Sequence, residues 1–241
     1  MSSSAENFLT TVQTQAVEDI RARLFTLRDE GYRDFLAKLM PTVDKARVIG
    51  IRTPHLRALS KELRGSEAAN TFLTVLPHGY YEEDNLHAHL IESERNFDRA
   101  LALTDAFLPH IDNWATCDCF SPAVFRRHKE ELLPHAERWM ASGEPYIIRY
   151  GIGVHMRHFL GDAFRPDTPA RIAAIRNDHY YVRMMVAWYF ATALAKQPEA
   201  AWEILREGVL DPWTQNKAIG KARESRCIDA ATKAELLRWK R

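Results

Sequence analysis

Cysteine is scarce. The three in 241 residues, Cys117, Cys119 and Cys227, are too few and too unevenly placed for a disulfide framework, which points to a reducing compartment. Cys117 and Cys119 offer two thiolates, but no second Cys/His pair at zinc-finger spacing completes a tetrahedral site, so no metal is expected. Long apolar runs are missing as well. Nothing approaches the ~20 residues that cross a bilayer, and the N-terminal MSSSAENFLTTVQTQ lacks the apolar centre of a signal sequence. The chain is therefore expected to be soluble and cytoplasmic, with no membrane partner. An excess of one charge is absent too: a formal net charge of +1 with 27% charged residues excludes a polybasic tail or an acidic solvating chain. Any nucleic-acid contact must then come from local clusters of cations. There is no GxSxG nucleophile turn, no phosphate-cradling glycine loop and no dinucleotide fingerprint, which disfavours hydrolases and dehydrogenases of those classes. No segment alternates over enough residues to demand a strand.

What is present is helical periodicity on a 46% apolar chain, enough to bury a substantial core. Residues 1–15 read as a flexible leader. From Ala16 the apolar positions Val17, Ile20, Leu24 and Leu27 form the stripe of an amphipathic helix, expected to stop near Gly31 in a left-handed end position. A short helical turn around Phe35 and Leu39 is interrupted by Pro41, and an apolar run over 48–51 follows. Thr53 and Pro54 open a helix with Leu56, Leu59 and Leu63 on one side and Arg57, Lys61 and Arg64 on others. Further helices are expected over 67–76, 82–93, 97–108, 114–127, 129–140, 146–160, 169–176, 180–195, 198–207, 212–225 and 231–239. The connections are short and punctuated by Pro, Gly and Asp, so residues 16–241 read as one repeat domain.

Two stretches repeat each other: PYIIRYGIGVHM around Arg149 and HYYVRMMVAWYF around Arg183. The spacing is 183 − 149 = 34, and another 34 residues lead to Lys217. A period of that length marks stacked helix pairs. Stacking would bring equivalent faces into one concave surface. In residues 112–120, DNWATCDCF, Trp114 and Asp118 are four residues apart, which puts them on one helix face. Asp118 has small or apolar neighbours, so it either meets a cation such as Arg149, sits on a helix surface or faces a groove. Trp114 and Trp188 read equally well as core side chains. Arg149, Arg183 and Lys217 could each be solvated, although one cation per repeat is hard to obtain from a randomly charged surface. The pairs His87/His89 and His155/His158 read as surface or core histidines.

Taken together, GIRTPHLR, the Trp-x-x-x-Asp of NWATCDCF, the arginine of YIIRYGIG, YYVRMMVAW and NKAIGKARES resemble the HEAT-like DNA alkylation repair glycosylases, the AlkD-type family, from about Ala16 to Arg241. The resemblance implies an all-α, right-handed α-solenoid of HEAT-like helix pairs in a single curved array. It implies a monomer that embraces duplex DNA carrying alkylated purines and hydrolyses the N-glycosidic bond of N3- and N7-alkylated purines, with no metal or organic cofactor. Asp118 then falls on the catalytic carboxylate, Trp114 and Trp188 on tryptophans that contact the sugar and backbone of the lesion, and Arg149 on a basic residue of the cleft. Arg183, Lys217 and Lys221 complete the DNA-binding set. Two departures stand out: the segment between the first helix and GIRTP is shorter than in characterised active members, and Ala191 stands where those offer a basic side chain. They leave open a second reading, a catalytically silent module that binds nucleic acid or a protein partner.

Overall fold

A computed structural model describes the backbone of residues 2–241 and the side chains of residues 14–241. Helices make up its regular structure, and no strand occurs among the described residues, which is the all-α class expected. The chain packs into two compact units, the first ending at Phe125 and the second spanning Arg126–Arg241.

The first unit holds α1 (Ser2–Thr26), α2 (Glu30–Leu39), α3 (Thr53–Leu63), α4 (Glu67–Phe72), α5 (Tyr81–Glu92), α6 (Phe97–Phe107) and α7 (Trp114–Cys119). The α1 backbone is helical from Ser2, well before the start expected near Ala16. Met1 and the side chains up to residue 13, which make up most of the expected leader, lie outside the described residues. Val17, Ile20 and Leu24 are buried and pack with Leu56, Leu59 and Leu63 of α3 and Phe72 of α4, as the apolar stripes require.

The end of α1 corrects the sequence expectation. The helix stops at Thr26, and Gly31 lies in the first turn of α2. Asp29 takes an extended conformation and its carboxylate accepts from the Tyr32 N–H at 2.9 Å, so it starts a new helix before the glycine is reached. The apolar run over 48–51 stays outside any helix. Its N–H groups go to one buried side chain: Glu82 accepts from Ile49 at 2.8 Å, Gly50 at 2.7 Å and Ile51 at 3.2 Å. Gly50 has φ +93°, and a Cβ there would lie 2.3 Å from the Asp29 carbonyl oxygen, so no other residue fits this turn. The helix expected over 114–127 is in fact broken. It ends at Cys119 and resumes as a 3-10 turn over Ala123–Arg127, because Pro122 lacks a donor and disfavours the helical state of Ser121.

The second unit holds α8 (Lys129–Met140), α9 (Pro145–His158), α10 (Thr168–Ala173), α11 (Tyr180–Lys196), α12 (Pro198–Glu207), α13 (Pro212–Glu224) and α14 (Ala230–Leu236). Here α8 packs on α9, α9 on α11, and α11 on α13, while α12 packs on α10 and α11. Arg149, Arg183 and Lys217 thus fall one on each of three successively packed helices, which is the structural content of their 34-residue spacing. Gly151 lets α8 approach α9, since a Cβ there would meet the Met140 nitrogen at 2.8 Å and the Ala136 oxygen at 3.0 Å.

Candidate active site and nucleic-acid interface

In the first unit the candidate carboxylate sits on a helix of only six residues, α7. Isolated, so short a segment would not stay helical. Side chains hold it. Asn113, 1% exposed, caps its start by accepting from the Thr116 N–H at 2.9 Å. The Thr116 hydroxyl donates to the side-chain amide oxygen of Asn85 on α5 at 2.9 Å, and Cys117 and Phe120 are buried in the core. Trp114 and Asp118 are left half-buried, one turn apart on the same helix. The Trp114 indole N–H donates to the Leu39 carbonyl at 3.3 Å, and its ring packs on a cluster containing Leu36, Met40, Val43, Val48 and Tyr81. Trp114 is therefore both part of a core and partly open, which joins the two readings of it.

Just ahead of α7, the Arg47 guanidinium donates to Asp112 at 2.5 Å and to the Gly79 carbonyl at 3.2 Å, and lies 3.6 Å from Asp84. Burial, reinforced by the nearby Asp112 charge, pushes the Asp84 carboxyl up to about 8. Asp84 therefore holds its proton near neutral pH, and Arg47 and Asp112 form the charged pair that ties the approach to α7 to the rest of the unit. Sequence reasoning assigned nothing to Arg47, Asp84 or Asp112. Only Asp112, at the head of the motif, carried a local signal.

In the second unit Arg149 is 5% exposed and donates to the Tyr181 carbonyl at 2.5 Å, so it holds the start of α11 rather than standing free in solvent. The other cations lie against aromatic rings. The Arg183 guanidinium is 4.4 Å from the Trp213 ring centroid and donates to Asp211 at 2.6 Å. The Lys217 ammonium is 5.5 Å from the same ring, and the Lys221 ammonium 5.9 Å from that of Trp188, which is 38% exposed. Tyr180, 52% exposed, meets Trp213 edge to face at 5.7 Å. The structure thus gathers Arg183 and Lys217 around Trp213, and Lys221 over Trp188. Trp213 escaped the sequence reading, although it precedes Lys217 by one helical turn in PWTQNK. Aromatic faces interleaved with cations suit a chain of phosphates and bases.

Among the described residues no group of three His, Cys, Asp or Glu side chains could hold a metal ion, and no helix is long and apolar enough to cross a membrane. No curated protein matches the chain significantly. A family described as DNA alkylation repair enzyme matches residues 20–219, a span that includes Trp114, Asp118, Arg149, Arg183, Trp188 and Lys217 and stops just short of Lys221. On that match over most of its length, the chain belongs to the DNA alkylation repair enzyme family.

Proposed function

We propose that this chain is a DNA glycosylase that hydrolyses the N-glycosidic bond of cationic N3- and N7-alkylpurines in duplex DNA. The observation that carries the reading is Asp118, half-buried one turn after Trp114 on a helix clamped at its start by Asn113, in a chain of the DNA alkylation repair family. An alkylated purine already bears a positive charge. When the C1′–N bond breaks, its electron pair returns to the base and neutralises it, so no acid is needed to release the leaving group. Positive charge moves instead to the sugar, as an oxocarbenium-like species. The Asp118 carboxylate stabilises that charge and orients the water whose oxygen adds to C1′ and whose proton is lost. The face of the Trp114 indole, one helical turn before that carboxylate, holds the cationic sugar, and Trp188, with the Lys221 ammonium over its ring, contacts the DNA. Arg183, Lys217 and Lys221 supply phosphate contacts, and Arg149 acts by fixing the start of α11 through Tyr181.

The test is release of 7-methylguanine or 3-methyladenine from methylated duplex DNA by the purified chain. Release is expected with cationic lesions and not with neutral ones, whose departure needs protonation. The cation–aromatic surface around Trp213 and Trp188 favours a second reading, binding of nucleic acid without turnover. Tight duplex binding with no base release would select it.

A further inference from the structure

Helix α3 and the residue that caps its end present Arg57, Lys61 and Arg64 at the surface, four and then three residues apart, while the other side of the helix buries Leu56, Leu59 and Leu63. Most arginines of the first unit are paired, among them Arg23 with Glu62 at 2.7 Å, Arg52 with Asp29 at 2.9 Å and Arg47 with Asp112 at 2.5 Å. Arg57, Lys61 and Arg64 are not. Among the described residues none of them makes a side-chain hydrogen bond or ion pair, and the same holds for Arg95. Three of the acids near them, including Glu92 and Glu94 at the cavities described below, have other partners. Glu62 turns to Arg23 on α1, Glu92 takes the His89 ring at 2.9 Å and the Ser121 N–H at 3.1 Å, and Glu94 faces Arg99 at 3.3 Å.

These cations border two adjoining cavities. One, of about 370 Å³, is lined by Arg57, Lys61 and Arg64 with Ser60, which is only 5% exposed. The other, of about 380 Å³, shares Arg64 and adds Arg95. Unpaired cations over concave, partly buried surface focus a positive potential, in a chain whose net charge is only +1. The seven steps along the chain from Arg57 to Arg64, nearly all of them helical, cover roughly 10 Å, and one DNA strand places a phosphate about every 3.4 Å along its axis, so three cations face about three successive phosphates.

We propose that the α3 tract, Arg57, Lys61 and Arg64 continued by Arg95, is a phosphate-tracking site of the first unit that takes consecutive backbone phosphates of a nucleic-acid strand. It rests on the DNA-binding reading above and adds to it a contact separate from α7, α11 and α13.

The test uses the full chain, an undamaged duplex and a salt titration, so it does not depend on base excision. Combined Arg57→Gln, Lys61→Gln and Arg64→Gln should reduce the slope of log affinity against log salt by about 2 to 3, near 0.9 for each lost phosphate contact. Arg57→Lys, Lys61→Arg and Arg64→Lys together should leave the slope unchanged, which separates charge from folding. Arg183→Gln with Lys217→Gln runs in parallel. If that pair lowers the slope while the α3 triple does not, the α3 proposal fails and the DNA reading stands. If the wild type does not bind duplex at all, both fail. Inorganic phosphate alone is the remaining arm: saturable amide shifts in α3 with phosphate, without any change of duplex slope in the triple variant, would show a small-anion site and overturn the proposal.

Discussion

Asp84 shows how burial can outweigh a nearby opposite charge. The Arg47 guanidinium is 3.6 Å away and favours the ionised form, but desolvation and the Asp112 charge dominate and the carboxyl titrates near 8. Its unfolded value is near 3.8, so between about 3.8 and 8 this group binds a proton in the folded chain that it releases in the unfolded one, and the stability it contributes falls as pH rises through that window. Asp84→Asn removes this dependence. Urea unfolding at pH 5, 6 and 7 should show the variant gaining on the wild type at each step, whereas a constant difference would mean that Asp84 is ionised in the fold. The same contrast separates the predicted cations. Arg149 is spent on a backbone carbonyl, while Arg183 and Lys217 remain on a ring face. Trp213→Ala should therefore weaken duplex binding with Asp118 and its helix untouched, as read by fluorescence anisotropy. Unchanged binding would make those ring contacts purely structural.

The short helix α7 depends on its cap more than a long helix would. Asn113→Ala removes the acceptor for the Thr116 N–H and should cost about 0.5–2 kcal/mol in thermal or chemical unfolding. Excision should fall more steeply than stability, since Trp114 and Asp118 ride on that turn; a fall in stability alone would dissociate the cap from the site. The Trp114–Asp118 pair was legible because i, i+4 spacing is local; the helix over 198–207 was legible because Pro198 at its start, Gly208 at its end and the apolar period agree, and that over 129–140 from its apolar period despite Pro134 within it. The break after Cys119 was signalled by Pro122 but overridden by the apolar residues around it. Nothing in the sequence marked Glu82 as the acceptor for three N–H groups some thirty positions away, or Arg149 as buried, because such pairings arise from packing and leave no periodic trace. At Gly151, where α8 and α9 touch, Ala should overpack the contact and destabilise by about 1–3 kcal/mol, which a melting curve would register.

Across the whole molecule, buried histidines set the acid limit. Burial holds His78, His155 and His158 down to about 4 and His87 well below its ordinary value, so all are neutral in the fold. The unfolded chain protonates them near 6.5, so the stability these histidines contribute is lost as pH falls from about 6.5 toward 4, opposite in sign to the contribution of Asp84. A net charge of +1 gives no global attraction to DNA, so recognition rests on local clusters and should weaken steeply with salt. What distinguishes an enzyme from a binding module is the carboxylate. Asp118→Asn keeps shape and hydrogen-bonding capacity and removes only the charge. The decisive measurement is the single-turnover rate of 7-methylguanine release from a duplex carrying one lesion. A fall of roughly 10²–10³-fold in Asp118→Asn, with duplex affinity unchanged, is the predicted result. Equal rates for the variant and the wild type would contradict it.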